Sequence, residues 1–203
     1  MWLIYYIIHS TLAANSVKSR LYRLHPLVPR YYRLSFNLLS LLLLMPIAWF
    51  LAVYQAPILW RWDGGWLYVQ IFITAMVVLG FYLSSKGYDL QEFAGLRQWN
   101  QHSDPGPMAL TQWHRYVRHP WYFLALVYIW SRDMDSLFLC SAILLSLYFY
   151  IGSKLEDRKL CELYGATYLS YCEQVPGIFP IPGRYLSRSQ WQKMITLKQK
   201  PTE

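Results

Sequence analysis

Between Phe36 and Tyr54 the chain runs almost without a polar side chain, with LLSLLLLMPIAWFLAV at its centre. An α-helix needs about 20 such residues to cross the hydrocarbon core of a bilayer. Comparable runs occupy Trp2 to Val17, Trp66 to Ser84, Tyr122 to Trp130 and Leu137 to Ile151. Backbone N–H and C=O groups find no water inside a bilayer, so these runs are expected to be helices. The fourth is too brief alone and must borrow turns from its flanks. Asp133 and Asp135, within SRDMDS, mark the turn between the last two. The fold expected is all-α: a polytopic membrane protein with about five transmembrane helices.

Composition supports that class. Of 203 residues, 55% are apolar, 18% aromatic and 15% charged, where a soluble domain carries about a quarter charged residues. This excludes a disordered chain and a disulfide-rich secreted module, and argues against an ordinary soluble enzyme. The 10 Trp and 18 Tyr suit the aromatic belts at the membrane–water interface. Cys140, Cys161 and Cys172 form neither a disulfide framework nor a CxxC motif, and read as free thiols. The first residues are apolar from Met1 and lack a basic n-region, so a retained first span is expected rather than a signal peptide.

Charge assigns the sides. All of the 19 Lys and Arg except Arg61 and Arg132 fall in residues 18–35, in residues 85–120 or from Lys154 onward. With five crossings these segments share one face, which the positive-inside rule makes cytosolic. The N-terminus is then outside and the C-terminus in the cytosol. Five short spans suit a bacterial inner membrane. The net charge of +8 points to anionic lipid as a partner, not nucleic acid. Three regions are expected: residues 1–106 with the first three spans and a cytosolic loop, 107–183 with the last two, and a cytosolic tail at 184–203.

The chemistry-bearing segments lie on that cytosolic side. In Arg118-His119-Pro120-Trp121-Tyr122, proline holds His119 out of the α conformation and suits the first position of the fourth helix. The unpaired N–H groups of that helix start, with Arg118 and His119 before it, make an anion site. A membrane-edge anchor, with Arg118 snorkelling and Trp121 and Tyr122 in the interface, is the plain alternative. Beyond the last span, Leu160, Leu163, Tyr164, Tyr168 and Tyr171 recur at helical spacing, predicting an amphipathic helix that continues the span. Glu156 falls on that stripe and needs a partner there. Asp157 is expected in a surface network with Arg158. His9, inside the first span, is either a structural hydrogen-bonder or a metal or haem ligand. His102 and His114 are expected to face solvent. Asp89, Glu92, Arg97 and Gln98 form a polar patch in which Gly95 either admits close backbone approach or breaks a helix. No P-loop, GxSxG, HExxH or GxGxxG sequence occurs.

Taken together, Arg118-His119-Pro120-x-Tyr122, Glu156-Asp157-x-x-Leu160, Tyr164-Gly165-x-x-Tyr168-x-x-Tyr171 and Val175-Pro176 resemble the isoprenylcysteine carboxyl methyltransferases, which share a wider group with phospholipid N-methyltransferases. The likeness covers about residues 107 to 183. His9-Ser10-x-Leu12-Ala13, Tyr32-Arg33-Leu34-x-Phe36-Asn37, and Tyr88-Asp89 with Phe93-x-Gly95-Leu96-Arg97-Gln98 resemble a subgroup holding methanethiol S-methyltransferases, NnrU proteins and nurim. The resemblance implies S-adenosylmethionine at the cytosolic mouth, bound by Arg118, His119, Pro120, Tyr122, Glu156 and Asp157, with Arg118 and Glu156 as catalytic groups and no metal. Asp157 stands where the family pattern usually has a second glutamate. The methyl acceptor implied is small or lipophilic, a thiol sulfur or carboxylate oxygen, entering laterally through the bilayer. The same subgroup leaves two alternatives: a haem-binding protein like the carotene isomerases, and a non-catalytic nurim-like scaffold.

Overall fold

The structure, a computed structural model, describes residues 1–96 and 111–197. Arg97, Gln98, His102 and the last residues of the tail lie outside the described residues. The helices are α1 (Trp2–Ala13), α2 (Asn15–Tyr22), α3 (Val28–Val53), α4 (Trp66–Ser85), α5 (Leu90–Ala94), α6 (Pro120–Trp130), α7 (Ser136–Gln174) and α8 (Arg188–Leu197). A short strand, β1 (Ile58–Trp60), pairs with β2 (Met134–Asp135).

Among the described residues, α3, α4 and α7 are long and apolar enough to cross a membrane. Their sides are apolar as well: Leu41, Met45, Trp49, Tyr68 and Phe72 are each about half exposed or more. A surface that apolar is suited to hydrocarbon rather than water. The expected first span is shorter in the structure, because Ala14 takes an extended conformation and ends α1. Lys18 and Arg20 then belong to the separate, polar α2. At 12 and 11 residues, α1 and α6 rise about 16–18 Å, less than a hydrocarbon core of ~30 Å.

The chain falls into two compact units, each discontinuous in sequence. Among the described residues, the first comprises 1–59, 89–96 and 134–144. Here α1 packs on α3, and the Tyr32 hydroxyl donates to Leu12 O at 2.5 Å. Asp89 caps α5 by accepting from the N–H groups of Gln91 and Glu92, both at 3.0 Å. At the other end of α5, Asn37 donates to the carbonyls of Phe93 and Ala94. Gly95 then turns left-handed, with φ 86°, and lies against the backbone of Leu34. Gly95 therefore both ends α5 and admits the close approach to α3. His9 lies between the rings of Tyr5 and Phe36, with centroids at 5.4 and 4.9 Å.

Among the described residues, the second unit comprises 60–88, 111–133 and 145–197. In it α4 and α6 pack along their lengths, with Gly80 admitting the Leu124 side chain and Trp121 Nε1 donating to the buried Ser84 hydroxyl at 2.9 Å. The α7 helix continues far past its apolar part, Leu137–Ile151, and breaks at Gly165 (φ 57°, ψ −136°). Beyond the break, Tyr168, Tyr171 and Val175 form a small core with Leu186 and Trp191. That part of the tail folds back instead of trailing away.

Candidate functional site

His119, with φ −121° and ψ 69°, precedes Pro120 at the start of α6 and lies outside the α region that the proline disfavours. The backbone before it is pinned from across the unit: Arg118 N donates to Pro176 O at 2.9 Å and His119 N to Gly177 O at 3.0 Å. With its own N–H groups so engaged, the Arg118-His119 pair directs its side chains toward α7.

There they meet Asp157. Its Oδ1 accepts from Tyr168 OH at 2.7 Å, His119 Nε2 at 3.0 Å and Arg118 Nε at 3.1 Å, and its Oδ2 from Arg118 Nη2 at 2.6 Å. The expectation that Asp157 sits in a surface network with Arg158 is corrected: its side chain is only 13% exposed and is the hub of the cluster. Arg118 goes on to donate through Nη1 to the carbonyls of Cys172 and Val175. Those are carbonyls at the end of α7, which lack helical partners. Arg118 therefore bolts the α6 start to the α7 end, and its guanidinium is directed at protein groups rather than into open space.

Glu156 is the open member. Its side chain is half exposed, with Oε2 3.4 Å from His119 Nδ1 and 3.2 Å from the Tyr122 hydroxyl. The expected stripe needs correcting here too, because Leu163 is exposed and the Gly165 break resets the helical phase before Tyr168 and Tyr171. Tyr122 stacks between His119 (centroids 5.3 Å) and Phe149 (5.2 Å). The result is a wall of aromatic rings edged by a carboxylate.

Both ring nitrogens of His119 lie beside carboxylates, which accept only, an arrangement that favours the doubly protonated imidazolium. Burial opposes that charge, but the hydrogen bonds to Asp157 and Glu156 outweigh it and raise its pKa above the ordinary 6.5. Burial likewise opposes ionised Asp157, yet the bonds from His119, Arg118 and Tyr168 hold it well below the ordinary 3.8. With His119 protonated, two cations and two anions sit together. The stability due to Asp157 is complete above pH 3.8 and is lost as pH falls through its lowered value. That due to His119 is complete below pH 6.5 and is lost as pH rises through its raised value. Thermal midpoints of the detergent-solubilised protein should therefore be highest between these limits and decline on both sides. A midpoint that climbs steadily from acid to alkaline pH would contradict the charged cluster.

His114, expected in solvent, is buried. Its Nδ1 accepts from Thr111 N at 3.0 Å, its Nε2 lies 3.2 Å from the Tyr88 hydroxyl, and its carbonyl accepts from Tyr171 OH at 2.6 Å. Thr111-x-x-His114 reads as a capping box with histidine in the place of glutamate, a signal available in the sequence. Tyr88 had no such signal beyond its place in the subgroup-like stretch. Arg115 is also buried, donating from Nε to Leu186 O at 3.0 Å.

The fold and the cluster define a class: an integral membrane protein of apolar helices with an ion-paired, aromatic-walled cluster at a helix start. More specifically, the chain is similar to two methanethiol S-methyltransferases, the subgroup its N-terminal stretches resemble. It is 33% identical over 95 residues to the enzyme from a Pseudomonas species, covering 44% of this chain and 36% of that protein. It is 27% identical over 123 residues to methanethiol S-methyltransferase 1 of Bradyrhizobium diazoefficiens, covering 58% and 39%. The matches thus span well under half the length of these relatives. No family model matches the chain, and no solved structure matches it.

Proposed function

We propose that this chain is a membrane methyltransferase that binds S-adenosylmethionine at the Glu156–His119–Tyr122 wall and methylates a small thiol or another small, lipophilic acceptor. The observation that carries this reading is the division of labour between adjacent carboxylates. Asp157 is saturated by four donor contacts, whereas Glu156 offers an acceptor edge beside stacked aromatic rings. The residues fit the cofactor: a carboxylate suits its ammonium or ribose hydroxyls, and aromatic faces suit its sulfonium. When bound, S-adenosylmethionine supplies an electrophilic methyl group. The chain's own part is to bind, align and exclude water. Glu156 binds, His119 orients Glu156 and holds the proton between the two carboxylates, and Arg118 fixes Asp157 and the end of α7. We place this mouth in the cytosol, with five crossings of which α1 and α6 are the short ones and an N-terminus outside, because that arrangement gathers the basic residues on one face.

Glu156→Gln keeps the shape of the side chain and removes its charge. Losing a charge-assisted hydrogen bond of about 1.5–3 kcal/mol should weaken S-adenosylmethionine about 10- to 100-fold. Calorimetric titration of the detergent-purified protein reads this directly. Equal affinity in the variant and the parent would remove Glu156 from the site, and no binding by the folded parent would end the methyltransferase reading.

A further inference from the structure

The Tyr88–His114 pair has no part in holding Asp157 or Glu156, yet it is built as carefully as that cluster. A backbone N–H can only donate, so Thr111 N, 3.0 Å from His114 Nδ1, makes that nitrogen an acceptor without a proton. The ring proton is therefore on Nε2, and Nε2–H donates to the Tyr88 oxygen at 3.2 Å. The tautomer is fixed by the loop backbone. With its oxygen accepting from His114, the Tyr88 hydroxyl is left to donate its own proton elsewhere. Its ring packs on Trp121, with centroids 5.0 Å apart. Trp121 is the residue before Tyr122, whose hydroxyl binds Glu156. Tyr88 thus stands at the same helix start as the proposed cofactor wall, on its Trp121 side.

We infer that Tyr88, oriented by His114, is the acceptor-side hydrogen-bond donor of this site and holds the sulfur of a small thiol. The inference rests on the methyltransferase reading above. His114 bonds to Tyr88, and Glu156 and Tyr171 are the other titratable groups whose charge acts on it. Burial first, and then the negative charge of Glu156, push its pKa up to about 12, so at neutral pH the hydroxyl is a donor and not a base. A donor beside an apolar indole suits a compact anion carrying a short alkyl group, which describes a thiolate. The bound thiol loses its proton to solvent and is held as thiolate by the Tyr88 O–H. A sulfur lone pair then forms the new S–CH3 bond while the methyl–sulfonium bond breaks, and that electron pair stays on the departing thioether. Tyr88 touches the acceptor and is catalytic in that sense; His114 acts through it and is a positioning residue.

Tyr88→Phe tests this, since it deletes one oxygen and keeps the ring on Trp121. Two titrations are made: S-adenosylmethionine into each protein, and ethanethiol into each protein saturated with S-adenosylhomocysteine. A kcat–pH profile with ethanethiol completes the set, because kcat reports ionisation within the complex. The expected result is an S-adenosylmethionine affinity within about twofold of the parent, thiol affinity about tenfold weaker, and a rising kcat limb displaced upward by about one pH unit, the size of one lost charge-assisted hydrogen bond. His114→Gln should displace the limb the same way, by leaving Tyr88 unoriented. An unchanged thiol affinity and pH limb in Tyr88→Phe overturns the inference while leaving the methyltransferase reading standing. Lost S-adenosylmethionine binding in a folded Tyr88→Phe also overturns it, by moving Tyr88 to the cofactor side. A folded parent that binds no S-adenosylmethionine overturns both.

Discussion

Arg118→Ala is expected to destabilise the protein by about 3–5 kcal/mol, the range for removing one partner of a buried ion pair. The side chains of Arg118 and Asp157 are 8% and 13% exposed, so little water reaches either. The substitution leaves Asp157 charged and short of two donors, and strips the carbonyls of Cys172 and Val175 at the end of α7. For a chain of this size the loss corresponds to a midpoint lower by roughly 6–20 °C. Arg118→Lys should recover only a part, because a point charge cannot bridge both carboxylate oxygens and two carbonyls at once. The double variant Arg118→Ala with Asp157→Asn should lose less than the two singles summed, since no charge is then stranded. A midpoint within about 2 °C of the parent for Arg118→Ala would show that the pair is solvated and that the cluster is not a structural hub.

Much of this architecture was legible in the sequence, and its errors share a cause. The apolar runs from Phe36 and Trp66 became α3 and α4 because a long run of apolar side chains has few other ways to satisfy its backbone. Pro120 fixed the α6 start for an equally local reason, the restriction it places on His119. Which carboxylate lies inside could not be read from α7 alone. Periodicity chose Glu156, but the partners of Asp157 come from the turn before α6, 38 or 39 residues away, and from Tyr168, beyond a break at Gly165 that ends the 3.6-residue phase. His114 was misread because a polar ring in a loop is ordinarily solvated, whereas here a backbone N–H and a tyrosine hydroxyl satisfy it in the interior. Leu186 and Trp191 were hidden by their setting in a basic, polar tail, where two buried side chains make no periodic pattern.

Gly95→Ala carries the second large effect, and it separates two meanings of the stretches that resemble the methanethiol methyltransferase subgroup. If Tyr32-Arg33-Leu34-x-Phe36-Asn37 and Phe93-x-Gly95 were ligand-contacting, a methyl group at Gly95 would act mainly on binding. The structure gives them a mechanical role. Asn37 ties the Phe93 and Ala94 carbonyls to α3, and a Cβ on Gly95 would lie 2.5 Å from Leu34 N and 3.0 Å from both Arg33 C and Leu34 Cα. These are backbone atoms inside a helix and cannot swing aside as a side chain can. A left-handed φ costs an alanine about 1–2 kcal/mol, and forcing a methyl group into a filled space adds about 1–3 kcal/mol. Gly64→Ala is the matched control, for Gly64 is also left-handed at φ 49° but has nothing within 4 Å of the added atom. Thermal midpoints should therefore fall about twice as far for Gly95→Ala as for Gly64→Ala, and Asn37→Ala should fall about as far as Gly64→Ala, by about 1–2 kcal/mol for its lost hydrogen bonds. Equal losses at the two glycines would mean that α5 moves freely away from α3, and the shared stretches would then need an explanation in ligand chemistry rather than in packing.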